Sequence, residues 1–181
     1  MLAALAFALA APAPPPLSEA DWAALRAREV VVRDETASQL VSTTGIVLFD
    51  APPERAWAAL LDFPARVPEN STLRKIEEYG RAGSVWYLRF EMSVFGVDLT
   101  FHNVYERAGD TVTYTLDPAR PNDLVACDGW YLVAPVEGGK SLVTYHAESR
   151  SRQWAPRWIL TWMANDSMEQ VLTKIRARAE R

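Results

Sequence analysis

Five runs between Ser84 and Ser149 alternate apolar and polar residues: SVWYLRFEM, VDLTFHNVY, TVTYTL, DLVACDGWYLV and SLVTYHAES. Turn signals set them apart, at Gly80 to Gly83, Gly109-Asp110, Pro118 to Asn122 and Gly138-Gly139. Side chains alternate across a strand, so each run has one greasy side. Trp86, Leu88, Phe90 and Met92 share a face, as do Leu99, Phe101, Asn103 and Tyr105. Val112 pairs with Tyr114 in the same way. Leu124, Ala126, Asp128, Trp130 and Leu132 fall together, and so do Val143, Tyr145 and Ala147. Successive strands with short turns make an antiparallel meander, apolar on one side. That side must be covered, which constrains the fold more than any other feature of the chain.

The cover is the C-terminal segment. Pro156 opens a helix that runs to about Ala179 without an interior Gly or Pro. At about 100° per residue, Trp158, Thr161, Trp162, Ala164, Asn165, Met168, Leu172 and Ile175 fall in one broad sector. Ile159, Leu160 and Met163 lie off it, so the first two turns are apolar nearly all round. Upstream, FDAPPERAWAALLDFPARVPE (Phe49 to Glu69) reads as a strand feeding two short helices. Pro52 and Pro53 suit a first helical turn, Glu54 favours its dipole, and Ala56, Trp57, Leu60 and Leu61 form a stripe. Pro64 ends that helix and a second turn runs towards Pro68. Before it, Ser18 and Asp21 make a capping box for a leading helix bearing Trp22 and Leu25. EVVVRDE and QLVSTTGIVLF have strand composition.

This order of elements resembles the helix-grip fold of the START-like superfamily, which includes the birch-pollen allergen, polyketide cyclases and coenzyme-Q-binding proteins. The resemblance is carried by APPERAWAALLDF with Asp62, by Pro68, by GWYLVAP at Gly129 to Pro135, by GGKSLVTY ending at Tyr145, and by Pro156. It spans Leu40 to Glu180. The leading helix with EVVVRDE resembles an N-terminal extension of some bacterial members. The resemblance implies an α+β fold, a curved antiparallel sheet of about six or seven strands wrapped round the terminal helix, with a ligand cavity between them. It implies no shared catalytic set.

A strongly curved sheet under one helix cannot close-pack everywhere, and such clefts take small ligands. The expected lining is Trp86, Leu88, Phe90, Phe101, Trp130 and Tyr145 on the sheet, facing Trp158, Trp162 and Asn165. Asn103 and Asp128 are polar groups on the same stripes. Each is either a ligand contact or a satisfied core group, and Asp128 could instead be turned outward by a bulge near Gly129. The apolar start of the terminal helix, with Ile159 and Met163 off the core sector, suits a lipid gate, a transient membrane contact or a dimer contact. Arg150, Arg152 and Arg157 stand nearby, either for anionic head groups or as a solvated cluster.

The net charge of -4 argues against nucleic acid, which needs a basic surface. One cysteine, Cys127, and two histidines, His102 and His146, offer no disulfide and no metal cluster. No G-x-G-x-x-G, Walker or G-x-S-x-G sequence occurs, so no cofactor is expected. Strand parity puts both histidines on the outer face, which leaves no convincing acid–base pair for a cyclase or dehydratase. The expected function is binding or transfer of a hydrophobic small molecule such as a lipid, isoprenoid quinone or polyketide. An enzyme using the same cavity, or a protein-interaction module, is the alternative. Residues 1–16 read as a signal peptide and Pro-rich spacer, with an apolar run from Leu2 to Ala11 too short to span a bilayer, A-L-A before Ala11, and no basic start. Export, to a periplasm, is therefore expected, with residues 17–181 forming one domain.

Overall fold

The computed structural model describes residues 14–152, 156–164 and 166–181. Helix α1 (Glu19–Arg26) starts at the capping box: Ser18 Oγ accepts from the Asp21 amide, and the Asp21 carboxylate accepts from the Ser18 amide. Strands β1 (Val31–Asp34) and β2 (Val41–Phe49) follow, then helices α2 (Pro53–Leu61) and α3 (Arg66–Glu69). The meander comprises β3 (Leu73–Ala82), β4 (Val85–Val94), β5 (Val97–Ala108), β6 (Thr111–Leu116), β7 (Leu124–Val136) and β8 (Lys140–Ser151). Helical residues Arg157–Ala164 (α4) and Asp166–Ala179 (α5) complete the described chain.

All eight strands form one antiparallel sheet in the order β1-β2-β8-β7-β6-β5-β4-β3. This is the helix-grip architecture with more strands than the sequence led us to expect. The addition is β3, whose alternation is hidden by Arg74, Lys75, Glu77 and Glu78. It is an edge strand, largely exposed and broken by two register shifts. Charge and irregularity on an edge discourage pairing with another chain.

The helices grip one face. Gly45 of β2 lets α5 approach closely: a Cβ there would lie 2.5 Å from Leu172 Cδ1 and 2.7 Å from Met168 Cγ. Ala56, Trp57, Ala59 and Leu60 of α2 pack with Val47, Phe49, Val143, Leu172 and Ile175 in one core. Polar ties lock the end of α5. Arg178 pairs with Glu69 and donates to the Ala59 carbonyl at 2.8 Å, and Glu180 accepts from Arg28 and from the Asp50 amide at 2.8 Å. The opposite face carries a smaller cluster, Leu25, Ile46 and Leu142, where α1 lies over β1 and β2.

Side-chain parity in β7 departs from the expectation. Its register with β8 slips between Leu124 and Ala126, leaving Val125 as the extra residue. After that bulge the inner positions are Cys127, Gly129, Tyr131 and Val133, not Ala126, Asp128, Trp130 and Leu132. The bulge lies at Val125, upstream of the Gly129 position considered from sequence. One inserted residue exchanges the two faces of everything after it.

Candidate functional site

Away from the closed end, sheet and helices separate around a cavity of about 450 Å³. Its walls are mostly apolar. Phe90 and Met92 of β4 and Leu99 and Phe101 of β5 line the sheet side, with Leu160 of α4 and Met168 and Val171 of α5 opposite. The Phe90 and Phe101 rings stack at 5.1 Å across the β4–β5 register. The mouth lies at Phe95, Val97, Pro156 and Ile159.

The deep end is polar and aromatic. Tyr105, Tyr114 and Tyr145 reach it from β5, β6 and β8, beside Cys127 of β7 and Arg66 of α3. Tyr105 stacks on Tyr114 at 4.8 Å and Tyr131 on Tyr145 at 4.3 Å, while the Tyr114 and Tyr145 hydroxyls are 3.2 Å apart. Gly129 makes room for this group, because a Cβ there would come within 2.4 Å of the Tyr114 oxygen. Arg66 is positioned by the bend after α2. The Ala65 amide donates to Asp62 Oδ1 at 3.3 Å, the Arg66 amide donates to the Phe63 carbonyl at 3.1 Å, and one guanidinium nitrogen donates to the Leu60 carbonyl. A second nitrogen donates to the Tyr131 hydroxyl at 3.2 Å, and the guanidinium lies 5.0 Å from the Phe63 ring centre.

Burial holds the Tyr105, Tyr114 and Tyr145 hydroxyls well above the usual tyrosine range. Burial also pushes the Cys127 thiol up to about 12, although Asn103 hydrogen-bonded to it pulls the other way. Burial opposes the charge on Arg66, but the oxygens of Tyr131, Tyr105 and Tyr145 outweigh it, and the group stays a cation.

Of the residues expected at the site, Phe90, Phe101 and Tyr145 line the cavity. Trp86 and Leu88 point into the same face but are packed in the core beyond it. Asn103 is fully buried there too, and its amide donates to the Cys127 carbonyl at 2.8 Å, tying β5 to β7. Trp130 and Asp128 correct the sequence reading: the Val125 bulge puts both on the outer face. Trp130 stacks on His146 at 5.5 Å, and Asp128 accepts from the Thr115 hydroxyl. Trp158 is also a correction. It is 60% exposed and meets Phe95 edge-on at 4.9 Å outside the cavity, because α4 turns that side to solvent. The Trp162 side chain and Asn165 lie outside the described residues, as does the side chain of Met163.

Tyr105 and Tyr114 stood on the predicted inner stripes and could have been added to the site from strand parity alone. Arg66 carried no such signal, since it sits in a four-residue helix where no periodicity can be read. His146 and His102 are on the outer face as expected. His146 Nδ1 is 3.0 Å from Thr44 Oγ1, and His102 Nδ1 is 3.0 Å from the Pro121 carbonyl.

A sheet gripping a terminal helix over an apolar cavity defines the START-like class. The chain belongs to the family described as polyketide cyclase / dehydrase and lipid transport, which it matches over residues 39–180. It is similar to the solved STAR-related lipid transfer protein of Xanthomonas axonopodis, at 21% identity, TM-score 0.67, covering 84% of this chain and 93% of that one. It is also similar to human STARD10, at 15% identity and TM-score 0.65, covering 91% of this chain and 80% of that one. The Zhui aromatase/cyclase from a Streptomyces species matches at 12% identity and TM-score 0.55, covering 77% of this chain and 86% of that one. A search of curated proteins gives no match.

Proposed function

We propose that the protein binds and transfers a hydrophobic small molecule, of lipid, isoprenoid quinone or polyketide type, in the cavity between its terminal helices and the sheet. The observation that carries this reading is the apolar cavity of about 450 Å³, whose size falls within the roughly 300–1,000 Å³ of small-molecule sites. A cyclase or dehydratase in the same place would need a group that exchanges protons near neutrality. The titratable side chains at the deep end are tyrosines held far above that range, a thiol at about 12 and a permanent cation. Of the carboxylates on the wall, Glu69 is engaged by Arg178 while Glu148 lies against Ser42 and His146. This favours a carrier.

The mouth supports transfer at a membrane surface. Phe95 and Gly96 form the two-residue turn between β4 and β5, both with positive φ, 50° and 81°. Such turns favour Asn-Gly or Asp-Gly, and a bulky residue with left-handed φ is strained. Phe95 is nevertheless 55% exposed, so burial does not compensate it. With Trp158, Val97 and Ile159 it forms an apolar rim around the opening. Retained strain without burial is expected where an exposed ring has work to do. Export, read from residues 1–16, is part of the same proposal, and would place the carrier in the periplasm.

Native mass spectrometry of the protein purified from its own host tests the reading. A co-purifying isoprenoid, fatty acid or polyketide is the expected result. An empty protein that also fails to take up a fluorescent fatty acid would overturn it.

A further inference from the structure

Resting on that reading of the cavity, we infer that its ligand carries a carboxylate at one end, received by Arg66 and the tyrosine hydroxyls, with its apolar body directed towards the mouth.

A guanidinium has five N–H donors. Arg66 directs one nitrogen to the Tyr131 hydroxyl and one to the Leu60 carbonyl, while its Nε is buried without a hydrogen-bond partner among the described residues. No carboxylate forms an ion pair with it among those residues, and Glu69, on the same short helix, is engaged by Arg178. The rings of Phe63 and Tyr131, at 5.0 and 5.6 Å, lend their faces to the cation, but they accept no hydrogen bond in its plane. An entering anion would supply the counter-charge that no carboxylate among the described residues provides.

The neighbouring hydroxyls make the same demand. Tyr131 already accepts from Arg66 and has its own hydrogen to give. Tyr145 is linked to both Tyr114 and Tyr131, so the three hydroxyls share two hydrogen bonds among themselves and one hydrogen is left over. Donors therefore converge where acceptors are few, which is the pattern that binds a carboxylate by a fork of N–H groups and hydroxyls. Arg66 is a single cation without a carboxylate partner among the described residues, so a monoanion would balance it. Of the other charged residues on the wall, Lys174 is exposed, Glu69 is engaged by Arg178 and Glu148 lies against Ser42 and His146. A quinone or other neutral carbonyl would fill the hydrogen bonds and leave the charge unbalanced.

The test uses cis-parinaric acid, a fluorescent apolar chain with a carboxylate, and its methyl ester, titrated into the full chain at pH 7.5. The acid is expected to bind about tenfold or more tightly than the ester, the effect of a hydrogen-bonded charge. Arg66→Met is expected to bring the acid down to the ester's affinity and leave the ester unchanged. Should that variant misfold by circular dichroism, the acid-to-ester ratio of the native protein decides, with Tyr145→Phe expected to narrow it about threefold. Equal binding of acid and ester by the native protein overturns the head-group inference and leaves the carrier reading standing. Failure of both probes to bind overturns the carrier reading itself, and this inference with it.

Discussion

The two ends of the helix–sheet interface are built by opposite means. At the closed end, Gly45 removes a side chain so that α5 sits directly on β2, and α2 fills the remaining space with Trp57 and Leu60. Leu172 and Ile175 are wholly enclosed there. At the open end, large rings stand on β4 and β5 and stack on one another along the sheet, lining the cavity. Aromatic area is thus used at one end to close a core and at the other to line a hollow. The tasks fall to different residues rather than different strands: Gly45, Val47, Phe49 and Val143 carry the grip, while Phe90, Phe101 and, further along β8, Tyr145 line the cavity.

That division is easiest to break at the closed end. Leu172→Ala removes a side chain with no exposure, and is expected to lower unfolding free energy by about 2–5 kcal/mol in urea titrations. Fatty-acid uptake per folded molecule should be unchanged. If uptake falls with stability, the two ends are not independent. Gly129→Ala sits where they meet. Its Cβ would lie 2.3 Å from the His146 carbonyl oxygen, a backbone atom that cannot swing away, and 2.4 Å from the Tyr114 oxygen. Overpacking there is expected to destabilise by about 1–3 kcal/mol and to disturb probe binding as well. A variant as stable as the parent would show that β7 and β8 can part at this point.

The open end should respond in the opposite sense. Leu99→Trp adds a large ring to a half-buried wall that has room for it. Stability is expected to change by about 0.5 kcal/mol or less, as for sites outside the packed core. Uptake of the same probe should fall severalfold. Destabilisation beyond 2 kcal/mol, on the order of a core overpacking, would mean that the hollow is smaller than drawn.

Much of this division was legible in the sequence, for reasons that particular residues make plain. Alternation in β4 and β5 put Phe90 and Phe101 on the inner face, and the pairing of those strands kept them there. Tyr145 came through equally well because β8 carries no irregularity before it. Trp130 and Asp128 did not, since the bulge at Val125 depends on how β7 and β8 pair, which no local pattern records. Arg66 failed differently: its side chain enters the cavity through the bend after α2, a tertiary placement with no period to betray it. Trp158 was misplaced because a helix apolar on every side gives no phase.

The finest test of the open end is its rim. Phe95 holds a left-handed backbone conformation that asparagine adopts more readily, and it is 55% exposed, with its ring edge-on to Trp158. Phe95→Asn should therefore keep or raise stability, by about 1 kcal/mol at most, while slowing transfer of a bound fluorescent fatty acid to anionic vesicles. Binding in the absence of vesicles should be untouched, because Phe95 lies at the mouth and not at the deep end where Arg66 sits. Ile159→Asp, on the other side of the opening, should slow transfer in the same way. Unaltered transfer in both variants would refute the rim as a membrane contact, and loss of stability in Phe95→Asn would show that the Phe95–Trp158 pair holds the turn for structural reasons.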